Sequence, residues 1–579
     1  MRYFRSPFRF VKRRSLVTTL KTRPSLEALE SRLAPANAFV VPPGQVSDGS
    51  HFHTLAEAIV AAGQGGLVTI EPGASPDPTQ PVSVAESQFD GLTIQGDPSV
   101  PASILPQEQL TVDGGGITLT NLNLGSLSLD AVSSGDTVSK CLIVNLSESA
   151  RNSNVIQNTI IGSAHVQPHV VVFPSNGNVL IANNTFSSSA QDPLTIGSCT
   201  GVTVTGNTFF GGPSTDALIG VADAGTSSAP ITITNNTIAT LAGDAIHVDQ
   251  NVSGGTFVRI LNNAVSTHDG NAGVGVTVST DVDHFNVLVQ GNDFHNARFG
   301  VDVFGDGTSV GNIDLGGGTL GSLGGNNFRR FTLPANENSA AIVLANAPQG
   351  TIVAQQNIFA NGVDPASLVS TTGVVDLTNL LNNNQAFVQT LYNNLLGRTG
   401  ALAELDPWVQ MLNAQGQSAV ANAILHSPEA LGRIVDSFYL RFLGRQSDAG
   451  GRAGWITFLQ NGGTEEQLET QFLTSPEYIS HINTDFVQSL YLNILGRPGS
   501  PEELAGWNNN IQNFGGLASV ANAFVTSVEN RANTVQSDFQ TFLHRGSSAT
   551  ETASLANSSL NLLSLEQLVL SSPEFFGNG

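Results

Sequence analysis

The side chains best suited by type to acid–base work or ligand contact are His247, Asp249 and Asp302. They lie in four similar segments, each read as the second strand of its repeat: DALIGVAD (216–223), GDAIHVDQ (243–250), GVGVTVST (273–280) and FGVDVFGD (299–306). Strand side chains alternate between two faces. With Ile219, Ile246, Val276 and Val301 pointing inward, Gly220, His247, Thr277 and Asp302 form one outward row. Ala222, Asp249, Ser279 and Phe304 form the next. Glycoside hydrolysis needs two carboxylates ~5–9.5 Å apart. A lyase needs a base and a cation, often calcium held by carboxylates. His247 and Asp302 fall two repeats apart, roughly 10 Å at the usual strand spacing, too far for a direct acid–base pair. Outward positions also carry polar groups simply because they are wet. No catalytic residue is assigned.

Two loops carry metal-ligand types: His268-Asp269 and Asp281-Val282-Asp283-His284. Loop carboxylates near one imidazole are ordinary solvated groups, so no metal ligand is assigned. Gly114-Gly115-Gly116 and Gly316-Gly317-Gly318 lack the strand–loop–helix setting of a phosphate loop and read as tight turns. The basic groups of this half of the chain, Lys140, Arg151, Arg259, Arg298, Arg329 and Arg330, are scattered rather than clustered with the acids.

These side chains need elements to position them, and repetition identifies those elements. QNTI (157–160), NNTF (183–186), GNTF (206–209), NNTI (235–238), NNAV (262–265), GNDF (291–294), NNF (326–328) and QNIF (356–359) share an asparagine. Asn158, Asn184, Asn207, Asn236, Asn263, Asn292, Asn326 and Asn357 are separated by 26, 23, 29, 27, 29, 34 and 31 residues. Alternating β-branched stretches precede several of them, such as VTVT (202–205) and ITIT (231–234), and read as strands. Units this short bury their apolar faces only by stacking on neighbours. An asparagine at a fixed turn tolerates left-handed backbone and can form an amide ladder from coil to coil. Phe186, Phe209, Phe294, Phe328 and Phe359 then stack inside the coil. The region resembles the right-handed parallel β-helix of the pectate-lyase-like superfamily. Members commonly open with a capping helix, as Leu55–Ala62 before a strand at Leu67–Ile70 would provide. Polysaccharide lyases and hydrolases occur in that superfamily, but a Gly-His-Gly or Arg-Ile-Lys signature is absent from this region.

Near residue 376 the hydrophobic period changes from 2 to 3.6. LYNNLLGR (391–398), FYLRFLGR (438–445), LYLNILGR (490–497) and DFQTFLHR (538–545) end on Arg398, Arg445, Arg497 and Arg545. An aromatic stands six residues before each: Tyr392, Tyr439, Tyr491 and Phe539. Trp408, Trp455 and Trp507 each follow an arginine by ten. SPEA (427–430), SPEY (475–478), SVEN (527–530) and SPEF (572–575) close the units with helix-start signals. Arginine and tryptophan are types that stack on sugars or bind anions. Recurrence in every unit argues for structure instead, with Arg bonding backbone carbonyls and Trp filling the core. The units resemble the family called domain of unknown function 4214, related to phycobilisome-linker-like modules. Asp448, Gly450 and Trp455 of the second unit fit its pattern best. The fourth unit lacks the Trp and the Gly before its Arg, as a degenerate cap would.

The chain has 579 residues, with 23 basic and 46 acidic side chains. Residues 1–36 hold nine of the basic groups against Glu27 and Glu30, so the remainder carries 14 − 44 = −30. Such a body repels nucleic-acid phosphates and anionic lipid, and calcium is the cofactor its acidity would suit. RPSLEALESRLAPA (23–36) resembles a short N-terminal motif of exported proteins of planctomycete-type bacteria, through Leu26-Glu27, Leu29-Glu30, Arg32 and Pro35-Ala36. That resemblance implies a secreted or cell-surface protein. Cys141 and Cys199 fall at different phases of the repeat and are expected to be buried free thiols. No apolar run is long enough to span a bilayer.

The expected chain is multi-domain: an export segment (1–38), an all-β right-handed parallel β-helix (39–375) and an all-α repeat domain of four helical units (376–579). The expected role is non-enzymatic glycan or matrix binding, or structural adhesion, with the helical repeats serving assembly or attachment. A polysaccharide lyase or glycosidase is the alternative. The expected partners are extracellular polysaccharide or other surface proteins.

Overall fold

The computed structural model describes residues 37–45, 47–74, 82–84, 87–96, 103–130, 134–150, 152–166, 178–188, 192–211, 217–222, 224–240, 243–249, 256–267, 273–280, 285–295, 297–305, 312–336, 339–345, 351–482 and 485–578. Residues 1–36 of the export segment lie outside the described residues, and its last two, Asn37 and Ala38, already belong to a strand.

The first half is a parallel β-solenoid. Among the described residues one column is a 15-stranded sheet, the other strands form a second sheet, and the strand pairs in both are parallel. A full coil has three strands: Val202–Thr205 in the first column, Thr208–Gly211 in the second and Ala217–Ala222 in the third. The segments bearing His247 and Asp302 are therefore third strands, not second. The short strand after each asparagine, too brief to show its own period, supplies the missing turn. A strand at Asn37–Val40 and another at His51–Phe52 precede the capping helix Leu55–Ala62, so Leu67–Ile70 is not the first strand. The helix starts on a Thr54 cap and buries Leu55, Ala58, Ile59 and Ala62 against the end of the solenoid.

The core is built of aligned like residues. Phe186 stacks on Phe209 with ring centroids 4.5 Å apart, and Phe328 stacks on Phe294 and Phe359, both at 5.3 Å. The third column runs close against this stack. A Cβ on Gly275 would lie 2.5 Å from the Phe294 ring, and one on Gly300 would lie 2.8 Å from Phe328. Glycine at these positions gives the aromatics their room.

The asparagine ladder is continuous. From Asn158 to Asn326, each Nδ2 donates to Oδ1 of the next asparagine at 2.9–3.1 Å, and each backbone N–H donates to the same Oδ1 at 2.8–3.0 Å. The second Nδ2 hydrogen reaches a strand carbonyl, such as Val204 O from Asn236. All eight asparagines are buried. The left-handed residue, however, is the one before each: Gln157, Asn183, Gly206, Asn235, Asn262, Gly291, Gly325 and Gln356 have φ between 53° and 71°. Cys141 and Cys199 are buried thiols that form no disulfide among the described residues, and burial pushes both up to about 12.

The second half is helical. Ser427, Ser475 and Ser527 cap Pro428–Leu443, Pro476–His481 and Val528–Phe542. The four units share one core. The first and last touch: Phe387 meets Phe575 at 5.9 Å and Phe576 at 5.2 Å, and Leu562 N–H donates to Glu466 of the second unit at 2.9 Å. The array docks on the left-handed turns of the solenoid. Asn262 donates to Gly397 O at 2.8 Å, Asn393 donates to Gly291 O and Gly325 O, and Gln157 donates to Leu440 O. Among the described residues, no helix is long and apolar enough to cross a membrane.

Candidate functional site

The outer face of the third column brings the sequence candidates together. The register aligns Gly220, His247, Thr277 and Asp302 in one row, continuing to Val343. Ala222, Asp249, Ser279 and Phe304 align in the next, continuing to Ala345. His247 and Asp302 are thus two coils apart with Thr277 between them. Each strand in this column alternates buried aliphatics with these outward groups, which is why the period-two reading finds the rows.

His247 is held from two sides. Its Nε2 lies 2.9 Å from Ser279 Oγ on the next coil, and its Nδ1 lies 3.7 Å from Asp244 Oδ2. Asp302 has a different setting. Burial pushes its carboxyl up to about 6, the charge of Asp244 adds to the rise, and Arg298 opposes it. One Asp302 oxygen and the Thr277 hydroxyl are buried without a hydrogen-bond partner. Arg298 lies over the Phe299 ring, 4.6 Å from its centroid. Phe304 is 40% exposed at the end of the second row. Asp244 and Arg298 were missed in the sequence. Asp244 stands three residues before His247 in the same strand, a spacing that would have flagged it. Arg298 stands just before the strand Phe299–Gly305, and nothing in its spacing does so.

His268, Asp269, Asp281, Asp283 and His284 lie outside the described residues. The glycine run at 316–318 is a tight turn, in which Gly316 and Gly318 N–H groups donate to the Asp314 carboxylate.

The recurring arginines of the helical array are structural, but their main partners are carboxylates rather than carbonyls. Arg398 Nε donates to Glu429 at 2.5 Å, Arg445 to Glu477 at 2.5 Å, Arg497 to Glu529 at 2.6 Å and Arg545 to Glu574 at 2.6 Å. Each guanidinium stacks on the aromatic six residues earlier, with centroids 4.8–5.0 Å away. Glu404, Glu503 and Glu551, six residues after their arginines, complete three of these clusters, and Asp448 at 3.7 Å takes that place in the second unit. The glutamate of each closing motif thus binds arginine as well as starting a helix. Trp408 is half-buried and donates to the Tyr392 hydroxyl at 2.8 Å. The fourth unit makes the full set of Arg–Glu contacts despite its altered sequence.

Residues 141–319 match the family described as right-handed β-helix region, and residues 378–434 and 470–534 match domain of unknown function 4214. No curated protein matches the chain. Among solved structures, the catalytic unit of a thermostable α-1,3-glucanase from Streptomyces thermodiastaticus is similar at 16% identity. The match covers 60% of this chain and 70% of that one, with a TM-score of 0.31. An alginate lyase from Paenibacillus sp. matches at 17% identity over 48% of this chain and 96% of its own, TM-score 0.27. The A-module of a mannuronan C-5 epimerase from Azotobacter vinelandii matches at 13% over 56% and 93%, TM-score 0.28.

Proposed function

We propose that this right-handed β-helix with helical repeats of domain of unknown function 4214 is an exported or cell-surface protein that binds an extracellular glycan. The observation that carries the reading is the pair of aligned rows on the third column. They align Ser279 with the exposed Phe304 ring one coil on, and Ser279 in turn bonds His247 while Asp249 precedes it in its row, so hydroxyl-bonding groups continue an aromatic surface. Sugars are recognised by that combination of polar contacts and an apolar face. Asp244, Asp249 and Asp302 outnumber Arg298, which favours a neutral or amino sugar chain over a polyanion unless calcium intervenes. The export half of the proposal rests on the motif at 23–36, and the helical array serves assembly or attachment.

A second reading has its own support. Burial and the charge of Asp244 push Asp302 up to about 6, so it holds its proton closer to neutral pH than an ordinary carboxyl does, as a general acid must. A glycan array run on the full chain, with calcium and with chelator, separates the two. Binding that falls at least ~10-fold in His247→Ala, with no oligosaccharide products, supports the binding protein. Products that vanish in Asp302→Ala establish the glycosidase or lyase instead. Wild-type binding that neither substitution changes removes the third column as the site.

A further inference from the structure

We propose that Asp293, His295 and His544 form a divalent-metal site of the zinc class, which pins the last helical unit to the β-helix. Asp293 and His295 flank the buried Phe294 on a second-column strand, so both project outward toward the array. His544 comes from the turn after the helix Val528–Phe542. One donor atom from each of the three residues lies within 4.8 Å of the others.

The packing around them is tight and polar. His295 is 8% exposed, and the side chain of His544 is 6% exposed. Asp293 Oδ2 lies 2.6 Å from His544 Nε2 and 3.6 Å from His295 Nδ1, and the two imidazoles stack with centroids 4.0 Å apart. That arrangement leaves His295 Nδ1 and Asp293 Oδ1 buried without a hydrogen-bond partner. A buried imidazole nitrogen and a buried carboxylate oxygen left unpaired in one cluster are costly, and a cation bound there relieves that cost. A tetrahedral ion with ~2.0–2.1 Å bonds to nitrogen and oxygen needs ligand–ligand edges of ~3.3 Å, which separations of 2.6 to 4.8 Å bracket. Small side-chain shifts complete the geometry.

Ligand chemistry selects the ion. Two imidazoles and one carboxylate suit zinc and its neighbours, whereas calcium and magnesium demand oxygen. A cavity of ≈140 Å³, lined also by Asn262, Asn393 and Gln540, adjoins the three groups and has room for water as a fourth ligand. Arg329 is buried nearby and its charge reaches Asp293, which favours an oxygen donor, neutral or anionic, at that fourth position.

The fourth unit departs from the others at this very residue. Gly397, Gly444 and Gly496 end the corresponding helices with φ of 61°, 65° and 69°. His544 keeps the same left-handed backbone, at φ 55°, although a side chain disfavours it. The substitution places an imidazole where the array meets the solenoid.

The test uses full-length, tag-free protein stripped with chelator and titrated with Zn²⁺ by calorimetry, then with Co²⁺ by visible absorption. The wild type should take up one equivalent at this site, show tetrahedral Co²⁺ bands and gain thermal stability with Zn²⁺. His544→Gly restores the residue carried by three sister units, and His295→Gln alters the solenoid side alone. Each should weaken that equivalent at least ~100-fold, beyond the ~10–100-fold typical of losing a supporting hydrogen-bond partner, and abolish the cobalt bands. A stripped wild type with no stoichiometric uptake overturns the proposal, as does uptake that both folded variants retain unchanged.

Discussion

Both halves of the molecule are repeats, yet they are joined in opposite ways. In the β-helix the ladder asparagines are buried and neutral, and each bonds to the coil before and the coil after it. In the helical array the repeated arginine is partly exposed and charged, and binds the glutamate that closes its own unit. The ladder therefore propagates order between repeats, while the arginine cluster folds each repeat on itself. Cohesion between helical units comes from the shared apolar core, which brings the first and last together. A buried amide without a partner is expensive, whereas a surface ion pair contributes little. The same periodicity in sequence thus marks interactions of very different weight.

Asn236→Ala is the sharpest test of that difference. It strands the Asn207 N–H and one hydrogen of Asn207 Nδ2 and takes a donor from Val204 O, while Asn263 Oδ1 keeps the backbone N–H of residue 236. At ~1–3 kcal/mol per orphaned group, the loss should reach about 3 kcal/mol or more, read by denaturant unfolding of the solenoid.

The array's response to pH should be the next largest effect. Burial, with Glu465 nearby, pushes Asp538 up to about 8, and burial with Asp538 nearby pushes Glu566 up to about 8. Their folded values exceed their ordinary ones of 3.8 and 4.5, so the folded state holds protons that the unfolded chain releases. The stability these two carboxyls contribute is full below about pH 4 and falls as pH climbs toward 8. Asp538→Asn should flatten that slope and raise stability at pH 8 by about 1 kcal/mol or more, measured as thermal midpoint against pH. An unchanged slope would remove these carboxyls as its cause.

Arg398→Ala should cost least, at most ~1 kcal/mol, because its partners Glu404 and Glu429 are largely solvated. A loss equal to that of Asn236→Ala would erase the contrast between the two halves.

Much of this was legible in the residues because repetition samples the same environment many times. The strings around Asn158 to Asn357 disclosed the ladder, and the alternation in GDAIHVDQ disclosed the rows holding His247 and Asp302. What escaped was whatever occurred once or needed a distant partner. The second-column strands are too short to show a period. The left-handed turn residue varies among Gln, Asn and Gly, so its shared role hides behind the invariant asparagine beside it. Glu404, Glu503 and Glu551 recur six residues after their arginines but are replaced by Gly451 in the second unit, which obscured the pattern.

The sequence by itself determined the two architectures, the ladder, the aromatic stack and the outward rows, because local period and coil-to-coil register follow from backbone geometry. Only the tertiary structure decided that the array docks on the left-handed turns, that its first and last units meet, and that His544 faces Asp293 and His295. Those residues are about 250 positions apart, and no local pattern encodes a contact created by the packing of two separately folded surfaces.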